Sequence, residues 1–392
     1  MRITFAKIIQ KAREWRKLHF RLLPVATCKE YTFRWKLQYK IVKPKEEVTV
    51  TPVYYAGEPK REDVKGLLNE RYIAILPNVD IIGSSNVVIG KDSFIYDLLA
   101  NKKKTYNITD RGLFRILNSP VRIGKDYVLC YFNKGNAIDK GLCFVGNFSG
   151  NYYHFIYEIL IKWYLIEQLE IPKDIPVLID ASARNIPQFK ELLSLFSRKR
   201  EIVYLEKNEL RHVSSLYYPS LVNIIPPNLK KLEYMKTEDV VFDKDAILYL
   251  RERFLSYIDD NTQATPKRFF ISRKSTKWRQ YNEEDVIMVV KDLGYEVVYP
   301  ETMTAREQFL LFNNAEDIVA ASGAALSNII CCRPKTRINV LMSVRFDGAI
   351  FSTLAKVLNL ELVYLVGKVT NYNNVQSDFN IDCAELKKLL IR

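Results

Sequence analysis

The chain has 392 residues, 48% of them hydrophobic and 12% aromatic, which excludes wholesale disorder and is long for a single core, so two domains are expected. Lysine and arginine number 59 against 45 aspartates and glutamates, a net charge of +14, which points to an anionic partner: nucleic acid, a membrane surface or a phosphorylated substrate. Six cysteines without a C-x-x-C pair, and three histidines, argue against a zinc site and a disulfide framework and suit a reducing compartment.

The N-terminus lacks a signal-peptide core, and no apolar run reaches about 18 residues, so no transmembrane helix is expected. Residues 1–24 read as a basic amphipathic helix, with Phe5, Ile8, Ile9, Ala12, Trp15 and Leu22 on one face and Lys7, Lys11, Lys17 and Arg21 mostly on the other. That pattern fits attachment to anionic lipid; the alternative is a helix packed on the body of the protein. Residues 30–56 look like strands, as do 72–76, 86–90 and 94–96, punctuated by Gly83 and Gly90. From 150 the pattern becomes helix 152–169, strand 176–180, helix 186–196 and strand 202–205, an alternation that implies a parallel sheet. Residues 222–243, with Pro226-Pro227, read as a linker.

Beyond it five helices and five strands alternate, with strands at 269–271, 296–299, 318–320, 338–342 and 362–366. This predicts a Rossmann-like domain over 236–392 behind an acceptor-side domain over 1–235. Ligands of such sheets bind past the strands' carboxyl ends, where Ser272-Arg273 and Ser322-Gly323 fall.

Four groups carry chemistry. The strand at 318–320 runs into the small-residue turn Ser322-Gly323-Ala324-Ala325 and then Leu326-Ser327-Asn328, with a helix expected over Ala324–Cys331; free N–H groups and missing side chains there let a phosphate approach the backbone. The other reading is a tight packing turn with Ser322 as N-cap. Arg273, Lys274 and Arg279 follow a strand end, and guanidinium forks match phosphate oxygens; a solvated basic loop is the alternative. His154 and Glu158 are four residues apart on one helix face, a base with its orienter or a buried, satisfied histidine. Glu307 makes a capping box with Thr304, or grips ribose hydroxyls. Asp243-Lys244-Asp245 matches a metal-binding D-x-D but sits where aspartates cap a helix.

In order, Asn151-Tyr152-Tyr153-His154, Phe270-Ile271-Ser272-Arg273-Lys274, Arg279, Asn282-Glu283, Glu307-Gln308 and Ser322–Asn328 resemble glycosyltransferase family 61, most closely bacterial members encoded with capsule and other surface-polysaccharide genes. The resemblance covers roughly residues 70–365. It implies an α/β, GT-B-like fold, two Rossmann-like domains facing a cleft, here with extra N-terminal β-strands. It also implies a nucleotide-sugar donor, usually a UDP-sugar, and inversion at the anomeric carbon without an essential metal. Arg273, Lys274 and Arg279 would meet the diphosphate, and Gly323, Ala324, Ala325, Leu326, Ser327 and Asn328 would sit under it. Asn151, Tyr152, His154 and Glu158 would belong to the acceptor side of the cleft. Many members carry His-Gly-Ala-Gly where this chain has Ser322-Gly323-Ala324-Ala325, so a base at Ser322 is not expected.

The expectation is a cytoplasmic glycosyltransferase, peripheral on the inner face of the membrane. It would transfer sugar from the nucleotide to a hydroxyl of a surface or capsular polysaccharide acceptor carried on polyprenyl diphosphate. No cofactor, metal or nucleic acid is expected, and His154 or Glu158 would take the acceptor proton. The rival is a catalytically inactive family member that binds glycan or nucleotide. Nucleic-acid binding, from Lys102-Lys103-Lys104 and Arg198-Lys199-Arg200, is a weaker third reading without a supporting motif.

Overall fold

The computed structural model describes residues 19–97, 127–132, 136–197, 200–207, 209–226, 235–258, 264–274, 279–348, 350–369 and 377–391. Residues 1–18 of the expected basic helix lie outside them. The helix does not run on to residue 24, because His19–Ala26 is strand β1, antiparallel to β8 (Tyr127–Phe132) and parallel at its end to β7 (Phe94–Ile95). Pro24 has no N–H to give a helix, and the strand accommodates it where the helix would not. A second correction falls at α1 (Cys28–Trp35), a helix where strand was expected. Thr27 and Glu30 form a capping box there, a short-range signal that outweighs the β-prone composition around it.

The strands β2 (Tyr39–Lys43), β5 (Arg71–Ile82), β6 (Val88–Ile89), β9 (Ala137–Phe144), β10 (Val177–Asp180), β11 (Ile202–Leu205) and β12 (Leu210–Pro219) join one ten-stranded mixed sheet, ordered β11-β10-β9-β12-β5-β6-β7-β1-β8 with β2 also on β5. Its β11-β10-β9-β12 flank is parallel, β5 turns antiparallel against β12, and β1 and β7 pair in parallel near the other edge. The N-terminal strands β1 and β2 join this sheet, whereas β3 (Glu46–Val50) and β4 (Val64–Leu68) pair with each other in a separate two-stranded sheet.

The second sheet is parallel throughout, in the order β14 (Glu296–Val298), β13 (Arg268–Ile271), β15 (Asp317–Ala321), β16 (Arg337–Met342), β17 (Glu361–Val366). All five residues of β15 are buried, as a central strand covered on both faces requires. Alternate side chains divide between two cores. Phe269, Ile271, Ile318 and Ala320 pack with α3 (Lys244–Ile258) and α5 (Ala305–Asn313), whereas Phe270, Val319 and Ala321 pack with α4 (Glu283–Asp292) and α6 (Cys383–Leu390). The first of these cores also contains Leu142, Phe144 and Ile179 of the mixed sheet, so apolar packing is continuous between the two sheets. Phe155 stacks on Phe189 of α2 (Pro187–Ser197) at 4.0 Å, and Phe254 on Phe309 at 4.4 Å.

The described flanks of the expected linker are packed. Val222, Val240 and Phe242 are buried, and Ile224 bridges Val241. The D-x-D aspartates have protein partners. Asp243 accepts the backbone N–H groups of Asp245 and Ala246, capping α3, and pairs with Arg71 at 3.0 Å and Lys43 at 3.1 Å; Asp245 pairs with Lys43 at 2.6 Å. Among the described residues no helix is long and apolar enough to cross a membrane.

Candidate active site

Two polar clusters stand out. The first begins where β9 and β10 end. Asn151 caps the helical stretch that follows, its side chain accepting the N–H of Tyr153 at 3.0 Å. That stretch is irregular: α-helical over Tyr152–His154, π-helical over Phe155–Ile159, 3₁₀ over Leu160–Lys162 and α-helical again over Trp163–Glu167. A π turn is uncommon inside a helix and recurs at functional sites. His154 precedes it and Glu158 lies within it, with Nδ1 of the imidazole 2.9 Å from Glu158 Oε1. Their side chains are 21% and 13% exposed, enough for a reactant to reach them. Burial pulls the His154 pKa down, but the charge and hydrogen bond of Glu158 outweigh it and hold the imidazole above its ordinary value.

Beneath this pair lie two buried titratable groups that sequence reasoning missed. Asp180 ends β10 and accepts the N–H groups of Ser84 and Gly146, tying down the loop that leads to Asn151. Burial pushes its carboxyl up to about 6. Lys162 is 3% exposed, and Nζ lies 3.3 Å from the carbonyl of Val145 and 3.4 Å from that of Cys143; burial lowers its pKa. A polar residue closing an apolar parallel strand was the available signal for Asp180; Lys162 lay inside an apolar helix pattern that gave none.

The second cluster lies at the carboxyl ends of β13 and β15. Arg273 donates through Nη1 to the Ser322 carbonyl at 2.8 Å, and its backbone N–H donates to Glu283 Oε1 at 2.8 Å. Arg273, Lys274, Arg279, Tyr281 and Glu283 line a cleft of about 360 Å³. Burial lowers the Arg273 pKa, with Tyr281 and Glu283 opposing. Arg279 is pushed to about 10, first by burial and then by the positive charge of Arg273. Its backbone is left-handed (φ 54°), and its buried Nε has no partner among the described residues; a strained, incompletely satisfied arginine marks a place built for something else. Lys274 is exposed and paired with Glu284 at 2.8 Å.

The small-residue turn divides into two parts. Ser322, Gly323, Ala324 and Ala325 are half-buried, and the capping position falls on Gly323, not on Ser322 as its packing-turn reading had it. Gly323 is extended (φ 179°), so no backbone strain demands glycine; its bare Cα leaves space beside Arg273 Nη1, which a Cβ would meet at 3.4 Å. The helix Ala324–Cys331 has the expected bounds but is 3₁₀. Leu326, Ser327 and Asn328 are fully buried, with side chains turned into protein. Asn328 accepts from Tyr152 Oη at 2.8 Å and donates to Gln308 at 2.8 Å, while Tyr157 Oη donates to the Ser327 carbonyl at 2.8 Å. Tyr152 is thus a strut from the His154 helix to the turn. Glu307 is exposed and completes the capping box, its carboxylate accepting from Thr304 N at 2.8 Å and Oγ1 at 2.9 Å. The remaining N–H groups at the α5 start, on Ala305 and Arg306, go to Glu191 of α2.

The arrangement pairs an imidazole with a carboxylate, and places three cations and three carboxylates (Glu283, Glu284, Asp285) around a cleft at a parallel sheet's carboxyl end. The sequence model of the family Glycosyltransferase 61 matches residues 152–339, a span that begins at the Tyr152 strut and contains both clusters' defining residues. No curated protein matches the chain.

Proposed function

The chain carries a glycosyltransferase 61 domain and is in that respect a glycosyltransferase; on that premise we propose that it transfers a sugar, with inversion and without a metal, from a nucleoside-diphosphate donor to a glycan hydroxyl. The observation that carries this reading is the pair of half-buried, mutually repelling arginines, Arg273 and Arg279, at the carboxyl end of the parallel sheet. A bound diphosphate relieves that repulsion and fills the free Arg279 donor, and as the glycosidic bond breaks the same cations meet the charge developing on the leaving phosphate. Glu158 at Nδ1 leaves Nε2 of His154 to take the acceptor proton. Residues 236–392 hold the donor and 1–235 the acceptor, as the two halves of a GT-B enzyme. The donor is a UDP-sugar, and the acceptor a bacterial surface or capsular polysaccharide on polyprenyl diphosphate. Net charge +14 supports a peripheral position on the anionic inner face of a membrane.

Thermal unfolding with a panel of nucleotides and nucleotide sugars, in EDTA and in Mg²⁺, tests the reading. UDP or one UDP-sugar raises the melting temperature equally in both, by mass action on the native state. Arg279→Ala and Arg273→Ala weaken that nucleotide by about ten- to a hundredfold while the unliganded melting temperature moves little. Unchanged affinity in either folded variant rejects the clamp. Ser322, in place of the family's histidine, favours one second reading, a member that binds without turnover; nucleotide stabilisation with no transfer to any acceptor would establish it.

A further inference from the structure

A separate pocket lies on the mixed sheet, walled by α1 and by the turn after β6. It holds about 370 Å³ and is lined by Tyr31, Trp35, Asp80, Gly90, Lys91 and His212 among others, none of them in the clusters described above. Its floor is a second His/carboxylate pair. His212 on β12 stands directly opposite Asp80 on β5, with Nδ1 2.8 Å from Oδ1. Their side chains are 40% and 17% exposed. His212 Nε2 and Asp80 Oδ2 have no partner among the described residues, and both side chains line the pocket. The wall is aromatic and held in place. Trp35 donates its indole N–H to Asp92 at 3.2 Å, and Lys91 Nζ sits 4.4 Å from its ring centroid. Tyr31 accepts the Lys91 N–H at 3.2 Å, and a Cβ on Gly90 would come within 2.7 Å of the Tyr31 ring, so only glycine lets the turn close on that side.

We infer that this pocket binds one or two pyranose rings of the acceptor glycan, away from the bond being formed. A pyranose presents apolar C–H faces and a rim of vicinal hydroxyls. A fixed aromatic wall suits the faces; with Nδ1 of His212 donating to Asp80, the imidazole Nε2 and the second carboxylate oxygen are both acceptors and suit a diol that donates an O–H to each. The volume falls in the range of small-ligand sites. The Asp80 carboxylate on the floor disfavours phosphate or another anion. Saccharide binding follows from the pocket alone; its assignment to the acceptor rests on the transferase reading.

With three histidines in the chain, the imidazole resonances of the full-length, ¹³C-histidine-labelled protein are a direct readout, and His212→Gln assigns the one that matters. Maltose, cellobiose, lactose and N,N′-diacetylchitobiose are the probes, at millimolar concentrations. The expected result is a saturable shift of the His212 signal with at least one of them, weakened about tenfold by Trp35→Ala and by Asp80→Asn, with UDP stabilisation intact in both variants. UDP itself leaves the His212 signal in place. A His212 signal unmoved by all four disaccharides overturns the proposal, as does one moved by UDP, or one moved equally in the two variants. Saccharide binding with no response to UDP would overturn the donor clamp and leave the pocket standing.

Discussion

His154 shows how one side chain's neighbours set its chemistry. Its folded pKa is raised, so the protonated form adds stability that is complete below the ordinary imidazole value, about 6.5, and lost as pH rises through the folded value. A base must be neutral, so transfer is expected to rise with pH through that same midpoint. In Glu158→Gln the raising charge disappears and burial is unopposed; the His154 midpoint then falls below the ordinary value, and the acid limb of the rate profile moves with it. Imidazole NMR across pH checks this, and an unmoved midpoint would refute the pairing as the cause. The pair itself was legible, because four-residue spacing on a helix puts two side chains on one face. Asp180 and Lys162 were not, since their partners Ser84, Gly146, Cys143 and Val145 come from other elements.

The 3₁₀ helix Ala324–Cys331 is where local pattern and tertiary role part. Sequence reading treats Ser322–Asn328 as one phosphate-facing turn. In the fold Ser322 and Gly323 meet Arg273 through the Ser322 carbonyl and the open space at Gly323, and Leu326–Asn328 anchor the turn to the first half of the chain. Asn328→Ala strands Tyr152 Oη and the Gln308 carbonyl in a dry interior and is expected to cost about 2–4 kcal/mol. Tyr152→Phe, which leaves Asn328 its Gln308 bond, costs about 1 kcal/mol. Urea unfolding of both measures the difference; equal costs would mean that Asn328 is not the centre of the network. Tyr152 and Asn328 are 176 residues apart, so no spacing rule could pair them. Glu307 is the converse case: Thr304 three residues before it predicts the capping box, and the fold adds Glu191 from α2 to the same helix end.

Across the molecule, the Arg71–Asp243–Lys43 cluster ties the mixed sheet to the start of α3. Arg71 is 0% exposed and Asp243 1%, and Arg71 also reaches Glu46. Removing one member leaves the other's charge buried, so Asp243→Ala is expected to cost about 3–5 kcal/mol, measured by urea unfolding. A loss below about 1 kcal/mol would contradict a buried, compensated pair.

The alternation of apolar runs determined, before any coordinates, that residues 269–366 form five parallel strands, since strands buried on both faces must be apolar throughout and their helices amphipathic. Strand ends, helix caps and the His154–Glu158 face followed from the same short-range rules of period and hydrogen-bond satisfaction. Tertiary structure alone decided what those rules cannot reach: that β1 and β2 join one mixed sheet, that D-x-D serves an ion pair with residues some two hundred positions away, that His212 faces Asp80, and that the buried Nε of Arg279 has no partner among the described residues. Each depends on which distant segments share a low-dielectric interior, where an unpartnered charge or N–H is costly enough to reveal its purpose.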